Sequence, residues 1–323
     1  MNYVATMLAR PKTIRTCQMS SVQNVDIAME IYLKNAFVCL SSVSINNPDV
    51  ETLLFVDFEL GEKWQKCFES NGIRVINNPF GEFSINEEFH WDIAQYKYDT
   101  MKAMCALMQE NDTVAILDTD VVCVGSLDNI FEEAKYRLCL YDVQHSLDAR
   151  DRKSIVNDYL KIYTDQTYGI PIHYGGEFIG ANKRDLERFL KEVAEVVRLG
   201  NSTEGLVNFN DEHITSIAAD NLKKRGVLIN NANAYIYRYW TGHSFRGEKF
   251  YLTSTNYCYN PVVLWHLPDE KRLGVLRVYD YLIRHGRLPR TEQMARWFGF
   301  PKTSRTHKIR YVLTRIVDKL KKK

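Results

Sequence analysis

Two hydrophobic periods alternate along the chain. Short apolar runs read as buried strands within Thr13–Met19 and at ETLLFVDFEL (51–60), IRVIN (73–77) and VAIL (114–117). Between them, apolar residues recur at helical spacing through Ile31–Ser44, through LGEKWQKCFESNG as far as Gly72, and over about Ile93–Gln109. Asn46-Asn47-Pro48 supplies a turn after the first helix. The order then loosens. RLCLYDV (137–143), EFIGAN (177–182), VLINN (227–231) and PVVLWHL (261–267) read as strands. Helices are expected over RDLERFLKEVAEVVRL and from Asp211 past Ala219, and only helices from about Tyr279 onward. Strands alternating with helices predict an α/β fold, a mixed but mostly parallel sheet flanked by helices. The expected division is one α/β domain over 1–275 and a helical C-terminal extension over 276–323.

Composition narrows this picture little. With 45% hydrophobic and 25% charged residues in 323, disordered and collagen-like chains are excluded. No run approaches the roughly 18 apolar residues of a membrane span, and the N-terminus lacks the apolar core of a secretory signal. A soluble, cytoplasmic chain is the expectation. The seven cysteines stand singly, most of them in apolar segments, which suits buried free thiols better than disulfides or zinc.

Charge distribution says more. Net charge is only +2, yet residues 302–323 hold nine basic residues against Asp318, leaving 33 basic and 39 acidic residues in 1–301. Ile309, Val312, Leu313, Ile316, Val317 and Leu320 fall on one face of a helix whose other face is rich in Lys and Arg. That pattern suits a helix lying on an anionic membrane surface, with Trp297, Phe298 and Phe300 as upstream aromatic anchors. A docking helix with a frayed lysine end gives the same pattern.

The chemistry concentrates in VAILDTDVV. Residues i and i+2 of a strand share a side, so Asp118 and Asp120 are expected to project together from the carboxyl end of a buried strand, where open α/β sheets bind ligands. Paired carboxylates repel unless a cation lies between them, and hard oxygen ligands suit Mg²⁺ or Mn²⁺ holding a nucleotide diphosphate. The triplet alone is common, and a solvated strand-end pair is the plain alternative.

DTD at the end of the fourth strand, followed by VGSLDNIF, resembles the GT-A-fold nucleotide-sugar glycosyltransferases, notably the retaining families 8 and 6, over about residues 13–270. The resemblance implies a Rossmann-like GT-A catalytic domain, Mn²⁺ or Mg²⁺, and a nucleotide-sugar donor, most often UDP-hexose. It implies further site residues. Lys97 matches the basic residue ahead of DxD, with Asp99 after it as a donor-hydroxyl ligand. Gly175 and Gly176 match a glycine pair beside the sugars. Asp211 and Glu212 match an acidic pair opening a helix, Glu212 facing the anomeric carbon and Asp211 binding sugar hydroxyls. His266 matches a third metal ligand, and Lys271 a cation near the phosphates.

Each has a plain reading too: a surface Lys–Asp pair, a strand bulge, a helix cap, a core histidine. The implied reaction moves a hexose to a glycan or lipid-linked acceptor, with retention favoured, at the cytoplasmic face of a membrane. Two rivals remain. A sugar-phosphate nucleotidyltransferase should open with a glycine-rich phosphate loop, which CQMSSVQNVD lacks. A non-catalytic membrane or nucleic-acid adaptor has no use for clustered carboxylates.

Overall fold

A computed structural model describes residues 1–11, 22, 24–85, 92–144, 149–163, 171–206, 209–240, 262–300 and 305–320. The strand expected at 13–19 lies outside them. The sheet instead opens with β1 (Asn2–Leu8), NYVATML, which the apolar pattern hides because Asn2 and Thr6 interrupt it. Thr6 is tolerated in the middle of the sheet because its hydroxyl donates to the Leu117 carbonyl at 2.7 Å.

With β2 (Glu51–Val56), β3 (Ile73–Asn77) and β4 (Thr113–Leu117), β1 forms a parallel set in the order β3-β2-β1-β4. β5 (Val121–Cys123) leaves this sheet. β6 (Leu138–Asp142), β7 (Tyr174–Asn182) and β8 (Ile229–Asn231) complete it as β4-β7-β6-β8, and β7 runs antiparallel to both its neighbours. The sheet is therefore mixed and mostly parallel, as expected. A small second sheet joins β5 to β9 (Ile236–Arg238) through β10 (Leu264–His266).

Both faces of the central part of the main sheet are covered, which is why β2, β4 and β6 read as apolar runs. Val4, Leu54, Ala115 and Leu117 point into one core, with α1 (Val25–Asn46). Ala5, Leu53, Phe55, Val114 and Ile116 point into the other. α2 (Glu62–Glu69) contributes Trp64 and Phe68 to the first core, and α3 (Tyr96–Leu107) contributes Tyr96, Tyr98, Met101 and Met104 to the second. α4 (Asp128–Ala134) lies at the edge of the first core and α5 (Ala149–Ile162) beside the second. α6 (Lys183–Asn201) and α7 (Asp211–Lys224) complete the second layer.

The C-terminal segment is helical, as read: α8 (Gly274–His285), α9 (Thr291–Trp297) and α10 (Arg305–Leu320). Val278, Leu282, Met294 and Ala295 enter the first core. Phe298 and Phe300 do not supply the expected membrane anchors. Both are fully buried, edge-on to Trp265 at 5.9 and 4.9 Å. Burial there satisfies an aromatic cluster on β9 and β10, and nearby Tyr239 donates its hydroxyl to Gly299 O at 2.6 Å. On α10, by contrast, Ile309, Leu313, Ile316, Val317 and Leu320 are all exposed. No described helix is long and apolar enough to cross a membrane.

Candidate active site

β4 ends at Leu117, one residue before the first aspartate. Residues 118–121 form a turn, with Val121 N–H donating to Asp118 O at 3.3 Å. Asp118 and Asp120 are thus not an i, i+2 strand pair, and what brings them together is the second sheet. β10 pairs with β5 so that His266 sits opposite Val121, and Leu267 N–H donates to Asp120 O at 3.0 Å. This register carries the imidazole to the carboxylates. His266 Nε2 is 3.5 Å from Asp120 Oδ2 and 3.9 Å from Asp118 Oδ2. One ligand atom from each of the three residues lies within 4.8 Å of the others, a separation a single cation can bridge.

The two aspartates differ in surroundings. Asp120 is buried, and Lys271 Nζ donates to its Oδ2 at 2.5 Å. Burial opposes its charge, but Lys271 and His266 outweigh it and hold the carboxyl far below the usual range. Asp118 keeps a partly exposed side chain, its Oδ1 3.9 Å from Lys97 Nζ. Burial pushes its carboxyl up to about 6, with Lys97 pulling down and Asp120 pushing up. For His266, burial disfavours the imidazolium, yet Asp120 and Glu177 raise it to about 9.

Lys97, in the first turn of α3, is buried and ion-pairs with Asp211 while donating to Gly176 O at 2.8 Å. The helix-cap reading of the acidic pair belongs to its neighbour. Asn210 is the cap, accepting from His213 N–H at 3.0 Å, which leaves both acids of the first turn free to face inward. Glu212 is held by His173 Nε2 at 3.0 Å and Arg238 at 3.3 Å. Burial alone would neutralise it; His173 and Arg238 hold it well below the carboxylate range.

The glycine pair sits in β7 with extended backbone. A Cβ on Gly176 would collide with the Asp211 carboxylate and Lys97 ammonium, and one on Gly175 with Glu177. Asp99 lies apart from the aspartate pair, accepting backbone N–H groups of Glu82 at 3.1 Å and Gly81 at 3.5 Å.

Arg238 and His173 escaped the sequence reading as site members, and Glu177 was legible there as either a strand-edge charge or a sugar ligand. Arg238, on the apolar strand IYR, reaches Glu177 Oε1 at 3.2 Å as well as Glu212. Glu177, fully buried, also accepts from His266 Nδ1 at 3.2 Å. Lys271, Asp120, His266, Glu177, Arg238 and Glu212 therefore form one chain of alternating charges through the protein, with the His173 ring at its end on Glu212. A charged residue in an otherwise apolar strand was the available signal.

A cleft lies above this chain, lined by Leu8 and Ala9 at the end of β1, Tyr32 of α1, Tyr96, Asp118 and Lys271. An anionic ligand entering it meets Lys97 and Lys271 beside Asp118, Asp120 and His266.

No family model and no curated protein matches the sequence. Solved structures match the fold. The galactosyltransferase LgtC, in complex with donor and acceptor sugar analogues, aligns over 90% of this chain and 99% of its own, with TM-score 0.54 and 14% identity. Mouse xyloside xylosyltransferase 1, in its apo form, aligns over 82% of this chain and 97% of its own, with TM-score 0.51 and 10% identity. At such identities the likeness is one of fold. The chain has the GT-A architecture of these glycosyltransferases.

Proposed function

We propose that the protein is a metal-dependent glycosyltransferase that moves a hexose from a nucleotide sugar, UDP-glucose or UDP-galactose, to a glycan or lipid-linked acceptor with retention. One observation carries the reading: Asp118, Asp120 and His266 converge beside Lys97 and Lys271 at the mouth of a cleft, in a fold shared with glycosyltransferases. Two carboxylates and an imidazole fit Mn²⁺ well, and Mg²⁺ less well because of the nitrogen ligand. Such an ion, when bound, neutralises the diphosphate as the sugar departs.

The chain's own groups supply the rest. Lys271, beside Asp120, adds positive charge for the phosphates. Asp211, fixed by Lys97, binds sugar hydroxyls. Glu212 remains ionised, and its carboxylate stabilises positive charge developing at the anomeric carbon. Asp99 and the glycine pair shape the donor side. The basic helix α10 holds the enzyme at an anionic membrane on its cytoplasmic face, where lipid-linked acceptors are found.

The test is incubation with Mn²⁺ and a panel of nucleotide sugars, following nucleoside diphosphate release with and without added glycans. Slow, donor-selective release that stops with EDTA supports the transferase. Pyrophosphate-dependent exchange points to a nucleotidyltransferase instead, and absence of turnover with every donor leaves the adaptor.

A further inference from the structure

The end of the sheet opposite the cleft carries a second concave site. β4 and β7 pair Leu117 with Phe178 and Thr113 with Asn182. Asn182 therefore lies a strand's length, roughly 15 Å, from the Asp118 end. There the starts of β6 and α6 and the end of α7 enclose a groove of about 560 Å³, lined by Arg137, Arg184, Arg188, Lys191 and Arg225. Cavities of this size hold ligands of a few rings.

Only two acids line the groove with these five cations. Asp185 lies 3.5 Å from both Arg184 and Arg188, and buried Glu192 pairs with Arg225. Arg137 donates to the neutral Asn230 at 3.0 Å. Lys191 has no ion pair among the described residues. The groove lining thus carries three more positive than negative charges on a body whose residues 1–301 are net acidic. Gathering like charges costs folding energy, so the concentration points to a ligand. On the rim, Tyr136 is 74% and Leu228 63% exposed, an aromatic face and an aliphatic group left in water beside the cations.

We propose that this groove is a second binding site, separate from the cleft, for an anionic saccharide bearing phosphate, sulfate or carboxylate groups. The guanidinium groups take the charges in paired hydrogen bonds. Tyr136 takes the apolar face of a sugar ring. A nucleic acid fits less well, because the groove is short and the acidic body repels a long polyanion. The proposal does not depend on the transferase reading.

The experiment titrates the full chain with a fully sulfated disaccharide, reading affinity by calorimetry and location by hydrogen–deuterium exchange. Slowed exchange is expected at 136–138, 184–192 and 225–228. Lactose, which carries no charge, should not slow exchange at these segments. Arg188→Glu combined with Lys191→Glu, both exposed on α6, should weaken binding about tenfold or more. Tyr136→Ala should weaken it with the charges intact, and Arg315→Glu with Lys319→Glu in the basic tail should leave it unchanged. Protection confined to the tail or the Asp118 cleft, or equal binding by the α6 double variant, overturns the proposal. So does tighter binding of a single-stranded oligonucleotide at the same segments.

Discussion

His266 Nδ1 donates to Glu177 Oε1 at 3.2 Å, and this contact turns Nε2 toward Asp118 and Asp120. A carboxylate behind a ligand imidazole fixes its tautomer and raises its basicity, and its loss typically lowers metal affinity by about 10–100-fold. Glu177→Gln should therefore weaken Mn²⁺ binding by about that factor in a calorimetric titration, with the circular dichroism spectrum unchanged. Unaltered affinity would detach Glu177 from the metal group.

The two aspartates should separate in a stability assay. Asp120→Asn leaves the buried Lys271 ammonium without its charged partner, at a cost of about 3–5 kcal/mol. Asp118→Asn removes a partly exposed carboxylate whose nearest cation is 3.9 Å away, and should cost no more than about 1 kcal/mol. Both variants should lose Mn²⁺-dependent donor turnover. Urea denaturation of the two proteins without metal measures the difference, and equal stability would contradict the assignment.

Metal binding should strengthen as pH rises from about 6 to about 9. A histidine raised to about 9 stabilises the metal-free fold fully below its unfolded value of about 6.5, and that contribution disappears as pH climbs through 9. Asp118, raised to about 6, likewise holds a proton at the acid end of this range. A bound cation must displace both protons. The rise in melting temperature on adding saturating Mn²⁺ should be larger at pH 8.5 than at pH 6; a shift independent of pH would count against these ligands.

Glycine is required at 175 and 176 by space, not by backbone angle. Gly176→Ala should push apart the Lys97–Asp211 pair, and Gly175→Ala should displace Glu177, each costing about 1–3 kcal/mol and most of the activity. Gly61→Ala meets nothing within 4 Å and serves as the control. Melting temperatures and donor turnover of the three variants test this.

Removing residues 302–323 should abolish flotation with vesicles containing phosphatidylserine or phosphatidylglycerol, and 0.5 M salt should weaken flotation of the full chain. The exposed row from Ile309 to Leu320 sets this expectation. Equal flotation of the truncated protein would end the membrane proposal.

The apolar runs identified β2, β4 and β6, because a strand covered on both faces must be apolar throughout, and the pattern also marked β3 and the helices α1, α2 and α3. The DxD, the acidic pair and His266 were likewise visible as residue types in a recurrent order. Hidden from the pattern were β1, whose polar Thr6 is satisfied by the Leu117 carbonyl, and the short strands β5 and β9, three residues each. Such short elements carry too few residues to show a period.

Local sequence determined the layered α/β plan and which side chains were chemically unusual, since burial and periodicity act over a few residues. Tertiary structure alone decided their companions. The pairing of β10 with β5 carried His266 to residues 118–120, β9 brought Arg238 between Glu177 and Glu212, and Phe298 and Phe300 were drawn inward onto Trp265. Contacts between residues tens to more than a hundred positions apart are fixed by strand register and by the neutralisation of buried charge, and neither is written in any single segment of the chain.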